Sequence, residues 1–136
     1  MGFVQGLDGY RVVTSPFIAW WQFWVNNEDP VLGDRRVSFR EQREIARACA
    51  AGLRARYGIG QGDRVAILGA NSPDWLQAFW GTTLAGGISA ALNGWWTADE
   101  IAYGIELSEP SVLIGDRKRL ARAGAVGVPT VEIESG

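Results

Sequence analysis

The chain of 136 residues contains no histidine, one cysteine and one lysine. Without histidine, the commonest general base and the commonest metal ligand of proteins are both missing. The single cysteine, Cys49, excludes a disulfide within the chain. A lone thiol without histidine also cannot build a zinc site of the usual kind. We therefore expect no metal site among these residues.

The chain also lacks an excess of charge of either sign, with 13 basic and 15 acidic residues and a net charge of -2. A nucleic-acid partner is disfavoured, because such proteins usually carry a basic face. Residues 1–13 show neither the positive start nor the apolar run of a signal peptide. The apolar run at residues 12–25 is too short to span a bilayer. We expect a cytoplasmic protein without a transmembrane segment.

An aromatic helix is predicted after Pro16, over about residues 16–27, since proline suits the first turn of a helix. Its aromatic residues fall at spacings of three and four and form one stripe: Phe17, Trp20, Trp21 and Trp24. The stripe is typical either of docking on a membrane that holds fatty substrates or of packing against the rest of the domain. The missing basic flank favours packing. We assign residues 1–30 to a lead with this helix and residues 31–136 to one α/β domain.

The domain is predicted from alternating helix and strand signals. A Gly-Asp pair between short apolar runs indicates a hairpin at residues 31–37. Capping boxes, formed by Ser38 with Glu41 and by Thr97 with Glu100, open two helices. Strands alternating with helices at this spacing predict a three-layer α/β fold with a parallel sheet. The predicted strands cover residues 63–68, 88–92, 112–114 and 130–133, and the helices residues 39–57, 73–85, 98–107 and 116–123.

The helical faces are predicted from apolar spacing. The first helix should bury one face: Ile45, Cys49, Gly52 and Leu53. Cys49 is then an inert buried thiol rather than a nucleophile, because no base accompanies it. The second helix should bury a wide aromatic face: Trp75, Leu76, Phe79, Trp80, Thr83 and Leu84. The glycine-rich stretch at residues 58–63 precedes a strand and lacks the third glycine, so it is a turn rather than a dinucleotide fingerprint.

The order of these signals resembles the opening of the adenylate-forming enzymes, which include acyl- and aryl-CoA synthetases, luciferases and peptide-synthetase adenylation domains. The similar segments are residues 33–41, 58–67, 71–75, 85–93 and 97–116. Each segment is ordinary strand, turn or cap chemistry, and only their order and spacing are specific. The Trp95-Trp96 pair and the run at residues 103–106 are most similar to fatty-acid–CoA ligases of actinobacterial type.

The resemblance implies the first subdomain of a large N-terminal domain. In that family a carboxylic acid, such as a fatty acid, is activated with ATP and Mg²⁺ and then transferred to coenzyme A. The glycine-rich phosphate loop and the C-terminal lysine of the family do not occur in these residues. The resemblance therefore implies a fragment that is inactive alone, with no catalytic residue to assign. A four-stranded piece of a larger sheet should also self-associate through an exposed edge.

Two weak binding sites are predicted. Asn71 and Ser72 precede a helix whose free amides attract anions, although an ordinary cap explains them as well. Trp95 and Trp96 lie beside a turn, where they either face a substrate or a neighbouring lobe, or belong to the core. The basic run at residues 117–119 either contacts coenzyme A phosphates or forms a solvated helix face. Beside the ligase fragment, two alternatives stay open: a stand-alone α/β binding or interaction module, and a small Rossmann-type nucleotide-binding protein.

Overall fold

The computed structural model describes residues 2–5, 11–14, 31–32 and 35–133, with side chains from residue 37 onward. The chain divides into two compact units, Met1–Glu41 and Gln42–Gly136, and each is described by itself. The aromatic helix predicted at residues 16–27 lies outside the described residues. The predicted domain boundary after residue 30 stays a prediction.

Among its described residues, the first unit has two small antiparallel strand pairs. Strand β1 (Gly2–Gln5) pairs with β2 (Arg11–Thr14). Strand β3 (Val31–Leu32) pairs with β4 (Arg35–Arg36). The second pair confirms the hairpin predicted from the Gly-Asp pair.

Helix α1 (Phe39–Tyr57) has the predicted bounds. At its start the Ser38 amide donates to Glu41 Oε2 at 2.8 Å, and the Glu41 amide donates to Ser38 Oγ at 3.3 Å. These two bonds are the predicted capping box, which satisfies amides that the first helical turn leaves free. At its end Gly58 adopts a φ of 65° and donates its amide to Arg54 O, which is a left-handed helix end.

The second unit is a four-stranded parallel sheet between two layers of helices, as predicted. Its strands are β5 (Arg64–Leu68), β6 (Ile88–Ala91), β7 (Val112–Asp116) and β8 (Thr130–Ile133). They lie in the order β6-β5-β7-β8. The connecting helices are α2 (Pro73–Ala85), α3 (Ala98–Ser108) and α4 (Arg117–Ala123). The capping box of Thr97 and Glu100 opens α3, also as predicted.

Each face of the sheet packs against its own pair of helices. On one face, residues of α1 and α2 join alternate residues of the two central strands: Ala50, Leu53, Val65, Ile67, Ala78, Ala85, Val112 and Ile114. On the other face, α3 and the segment around α4 cover the intervening residues: Ala66, Leu68, Ile101, Ile105, Leu113 and Leu120. Because both faces of β5 and β7 are buried, these strands consist of continuous apolar runs.

The predicted buried face of α1 is confirmed at Leu53 but is otherwise displaced by part of a turn. The buried residues are Gln42, Ala46, Ala50 and Leu53, whereas Ile45 is 38% exposed. Cys49 is half-buried beside this face. The reason is the close approach of α2: a Cβ added to Gly81 would lie 2.6 Å from the Cys49 Cβ and 3.4 Å from Ala46 O. Small residues therefore occupy the contact.

The predicted aromatic face of α2 is wrong for the same reason. The residues that α2 buries are mostly small: Gln77, Ala78, Gly81, Thr82 and Ala85. Trp75 and Phe79 are only partly buried and pack at the margin of the core, with stacked rings 5.9 Å apart. Leu84 is exposed. The large side chains thus lie beside the helix contact, and the small ones lie within it.

Over the described residues we find no helix with both the length and the apolar character needed to cross a membrane.

Candidate functional site

The carboxyl ends of the parallel strands form the candidate site. In open α/β sheets, ligands bind outside these ends at the point where the strand order reverses direction. Here the chain moves from β5 outward to β6 and then crosses to β7 on the other side of β5. The reversal therefore lies between β5 and β7, where the turn after Leu68 and the end of β7 at Asp116 come together.

Asp116 occupies this position. It is the last residue of β7, its exposed fraction is 0%, and it caps the N-terminus of α4. Its Oδ2 accepts from the Ala70 amide at 2.9 Å and from Arg119 Nη1 at 2.8 Å, and its Oδ1 accepts from the Arg119 amide at 2.9 Å. The carboxylate thus ties the turn after β5 to the start of α4.

The hydrogen bonds keep this carboxyl ionised. Burial by itself raises the pKa of Asp116, but the amides of Arg119 and Ala70 and the Arg119 guanidinium together hold that pKa below its ordinary value. A carboxylate whose acceptor sites are filled in this way is a poor base. Asp116 can hold neighbouring segments together, and its surroundings do not suit proton transfer.

Two arginines extend the network to the turn after β6. Arg119 Nε donates to Gly94 O at 3.0 Å. Arg122 Nη1 donates to Gly94 O at 3.1 Å and to Trp96 O at 3.0 Å. The side chain of Arg119 is only 14% exposed, and all three bonds are partly buried, which makes them stronger than fully exposed contacts.

The close packing at this turn requires glycine at position 94. A Cβ added to Gly94 would lie 2.7 Å from Arg119 Nε and 3.1 Å from Gly69 O. Both distances are shorter than ordinary van der Waals contact. The turns after β5 and β6 and the start of α4 therefore meet at Gly94, and any side chain there would push them apart.

The structure separates the two tryptophans that the sequence paired. Trp95 is 86% exposed, and its amide donates to Asn93 Oδ1 at 3.0 Å. Trp96 is half-buried and packs with the α3 side of the core, where a Cβ on Gly104 would lie 2.7 Å from the Trp96 ring. Only Trp95 presents its ring outward. Whether either residue contacts a substrate stays a prediction.

The predicted anion site at Asn71 and Ser72 is a capped helix start. Ser72 Oγ accepts from the Trp75 amide at 3.1 Å, and the Ala70 amide donates to the Asp116 carboxylate. The negative group beside this turn is therefore the chain's own. Asn71 is exposed, and anion binding at these two residues stays a prediction.

The interpretation of residues 117–119 as a solvated helix face is wrong for one residue. Lys118 is exposed, and the largely exposed Arg117 pairs with Glu132 at 2.8 Å. Arg119, however, turns inward to Asp116. The cause is the start of α4, which places the first turn of the helix over the buried carboxylate.

Sequence reasoning placed Asp116 at the start of a helix but missed its role at the strand ends, and it missed the roles of Arg119 and Arg122. The signal that could have indicated Asp116 is an aspartate between an apolar run and a helix, which is a recognised N-cap pattern. No local pattern shows that Arg122 reaches the loop after β6, because that contact joins residues 26 apart or more.

The described residues do not fit the Mg²⁺ that the family resemblance implies. They contain no group of three or more acidic, histidine or cysteine side chains that could hold a metal ion. The buried carboxylate of Asp116 is already saturated by Arg119 and Ala70. Cys49 offers no reactive thiolate, since burial raises its pKa.

Comparison with known proteins agrees with this fold. Residues 20–134 match the family described as AMP-binding enzyme. An acyl-CoA ligase of Aspergillus niger is 31% identical over 127 residues, which are 88% of this chain and 24% of that protein. A medium/long-chain-fatty-acid–CoA ligase of Mycobacterium tuberculosis is 32% identical over 96 residues, which are 71% of this chain and 16% of that protein. The chain thus spans a quarter or less of the length of these relatives.

Solved structures show the same arrangement. An anthranilate CoA ligase in complex with anthranoyl-AMP superimposes with a TM-score of 0.72 at 24% identity, over 81% of this chain and 22% of that one. A fatty acyl CoA synthetase of Mycobacterium tuberculosis gives 0.68 at 25% identity, over 84% of this chain and 26% of that one. With its parallel sheet and a family match over most of its length, the chain belongs to the AMP-binding enzyme family.

Proposed function

We propose that the chain forms the opening βα units of a cytoplasmic, ATP-dependent fatty-acid–CoA ligase and contributes to the acid side of its site. The observation that carries this proposal is the family match over residues 20–134. The similarity to a medium/long-chain-fatty-acid–CoA ligase over 71% of the chain supports a fatty acid as the substrate.

The reaction that we propose for the whole enzyme has two steps. A carboxylate oxygen of the acid attacks the α-phosphorus of ATP, the bond to the β-phosphate oxygen breaks, and pyrophosphate leaves. The thiolate of coenzyme A then attacks the acyl carbon, and AMP leaves with the electrons of the broken acyl–phosphate bond. The first step concentrates negative charge on phosphate and needs donors that stabilise it.

The residues of this chain are better suited to hold the acid than to stabilise phosphate. The buried carboxylate of Asp116 already occupies the strand reversal point, so an incoming phosphate would meet a negative charge there. Trp95, in contrast, offers an exposed aromatic ring that an alkyl chain can cover with a gain of hydrophobic free energy. We propose that the 136 residues alone do not form acyl adenylate.

The test has two parts. ATP–pyrophosphate exchange, measured on the purified chain with a fatty acid, should not exceed the background, and measurable exchange would contradict the proposed inactivity. For the positive part, the aligned segment of the Mycobacterium tuberculosis medium/long-chain ligase is replaced by this chain, and acyl-CoA formation is followed. An active chimera supports the ligase role. A folded chimera that binds ATP but forms no acyl-CoA favours a stand-alone interaction module instead.

Within an active chimera, Trp95→Ala should raise the KM for the fatty acid about fivefold to tenfold and leave the KM for ATP unchanged. This is the expected loss of roughly one aromatic contact with an alkyl chain. The matched control is Tyr103→Ala, which removes another exposed aromatic ring, on α3, and should change neither constant. An unchanged KM for the acid would contradict the role of Trp95.

A further inference from the structure

The loop after β6 is held from both sides by bonds that the proposed reaction does not use. From within, the Trp95 amide donates to Asn93 Oδ1 and the Trp96 amide donates to Asn93 O at 3.1 Å. From outside, the arginines of α4 donate to the carbonyls of Gly94 and Trp96. Trp95, whose ring is exposed, therefore lies between two residues, Gly94 and Trp96, whose backbone carbonyls both accept hydrogen bonds.

The buried carboxylate of Asp116 positions the arginines that make the outer bonds. Asp116 fixes the guanidinium of Arg119 by an ion pair of 2.8 Å and caps the helix that bears both arginines. Arg119 and Arg122 lie three residues apart on α4, so their side chains emerge on the same face of the helix. Both guanidinium groups donate to the same acceptor, Gly94 O.

We propose that Asp116, Arg119 and Arg122 are positioning residues that hold the Asn93–Trp96 loop in one conformation, so that Trp95 is presented to a ligand already ordered. This positioning rests only on the contacts described. The identity of the ligand, an alkyl chain of a fatty acid, rests on the proposed function. A loop that is already ordered does not lose conformational entropy when a ligand binds. The apparent affinity of the ligand therefore rises with the fraction of molecules in which the loop already has its bound conformation.

The arrangement also explains why two basic residues face an uncharged loop. An exposed arginine gains little from a surface contact, and Lys118, on the same short helix, is exposed. Arg122 instead gives up part of its solvation to bind two backbone carbonyls that no described helix or strand uses. This loss of solvation by Arg122 is the cost of keeping the loop ordered.

The experiment measures amide hydrogen exchange in the full 136-residue chain by NMR. Arg122→Met removes two of the three outer bonds without touching Asp116 and leaves the bond from Arg119 to Gly94 O. Lys118→Met is the matched control on the same helix. In Arg122→Met the amides of Trp95 and Trp96 should exchange about tenfold faster, as expected for the loss of a charge-assisted bond. The Leu113 amide, which donates to Pro129 O within the sheet, should not exceed that increase. Lys118→Met should change none of these amides.

Two results would overturn the positioning role. One is unchanged exchange of the Trp95 and Trp96 amides in Arg122→Met. The other is a larger rise at Leu113 than at the two tryptophan amides, which would show that the main loss lies in the sheet and not in the loop. Arg122→Lys keeps a charged donor and should restore part of the protection. Gly94→Ala approaches the network from the loop and should have the same local effect as Arg122→Met.

A binding measurement separates this proposal from the proposed function. Sodium decanoate is titrated into the wild-type chain, and the indole NH signal of Trp95 is followed. We expect a shift that saturates, and in Arg122→Met a Kd about threefold to tenfold higher. No shift in the wild type would contradict the acid contact, while hydrogen exchange still decides the positioning. Equal affinity of the two proteins would show that loop order does not serve the acid.

Discussion

At the scale of single residues, Asp116 shows how a buried charge is held in this fold. A carboxylate without solvent is costly unless donors compensate it. Two amides and one guanidinium do so, one from the turn after β5 and two from Arg119 in α4. Because the donors belong to different segments, the same bonds that stabilise the charge also join those segments. The residue therefore acts on the whole carboxyl edge of the sheet.

The first prediction concerns the stability of Asp116→Asn at different pH values. The lowered pKa of Asp116 means that its ionised form stabilises the fold. That contribution is present above the unfolded value, about 3.9, and is lost as the pH falls through the lower folded value. At pH 6 the variant should be less stable than the wild type by about 3 kcal/mol, since Arg119 loses its charged partner. Urea unfolding at pH 6 and pH 3 should show the difference narrowing at acid pH.

The control for this prediction is Glu132→Gln, which breaks the more exposed pair with Arg117. Exposed pairs contribute little, so the free energy of unfolding should change by less than about 1 kcal/mol. If Asp116→Asn were destabilised equally at both pH values, its charge would not be the cause. The loss would then belong to packing alone.

Local chemistry predicted residue roles only where a role depends on near neighbours. The two capping boxes and the Ser72 cap were predicted, because each joins residues three apart. Asp116 was placed at a helix start, but its bond to Ala70 spans 46 residues. The inward position of Arg119 follows from that long-range bond. No pattern of adjacent residues contains this information.

At the scale of secondary-structure elements, the contact between α1 and α2 depends on Gly81. A Cβ there would lie 2.6 Å from the Cys49 Cβ and even closer to its Sγ. Apolar spacing predicts that large residues face inward, and the prediction failed for both helices because they approach at a distance that only small residues permit. The length and ends of a helix follow from its caps, whereas the choice of its buried face depends on the neighbouring helix.

The second prediction tests this contact with Gly81→Ala. Overpacking of this kind costs about 1–3 kcal/mol of unfolding free energy. In a Cys49→Gly background, which removes both contacting atoms, the same change should cost less than about 1 kcal/mol. Chemical denaturation of the four proteins gives the coupling energy. Additive effects would show that Cys49 does not limit the approach of the helices.

The matched control is Gly52→Ala, also within a helix and on α1. No atom lies within 4 Å of the Cβ position at Gly52, so alanine is accommodated there and lowers the entropy of the unfolded chain. We expect a gain of about 0.5–1 kcal/mol. Opposite signs for the two glycines would separate the effect of space from the effect of helix propensity.

At the scale of the whole molecule, the four-stranded sheet of the second unit ends at β6 and β8 among the residues that the structure describes. Alternation of strands and helices predicted a parallel sheet, and this prediction is confirmed. The position of β6 outside β5 was not predicted, because it depends on which side of the sheet each connection takes. The two ends differ in chemistry: β8 follows Pro129 and bears Glu132, whereas β6 is neutral and contains no proline.

The third prediction is that the chain associates through β6. An edge strand without charge, proline or bulge offers its free amides and carbonyls to another strand, and Ile88 on this edge is 53% exposed. Ala91→Lys places a charge at an exposed position of β6 and should shift sedimentation velocity profiles toward the monomer at high concentration. Ala125→Lys, in an exposed loop, adds the same charge elsewhere and should leave the profile unchanged.

A wild-type chain that sediments as one monomeric species at high concentration, or equal effects of the two lysines, would contradict pairing at β6. Pairing there would also show that further strands of a larger sheet can add at β6, since the bonds involved are those of an ordinary ladder.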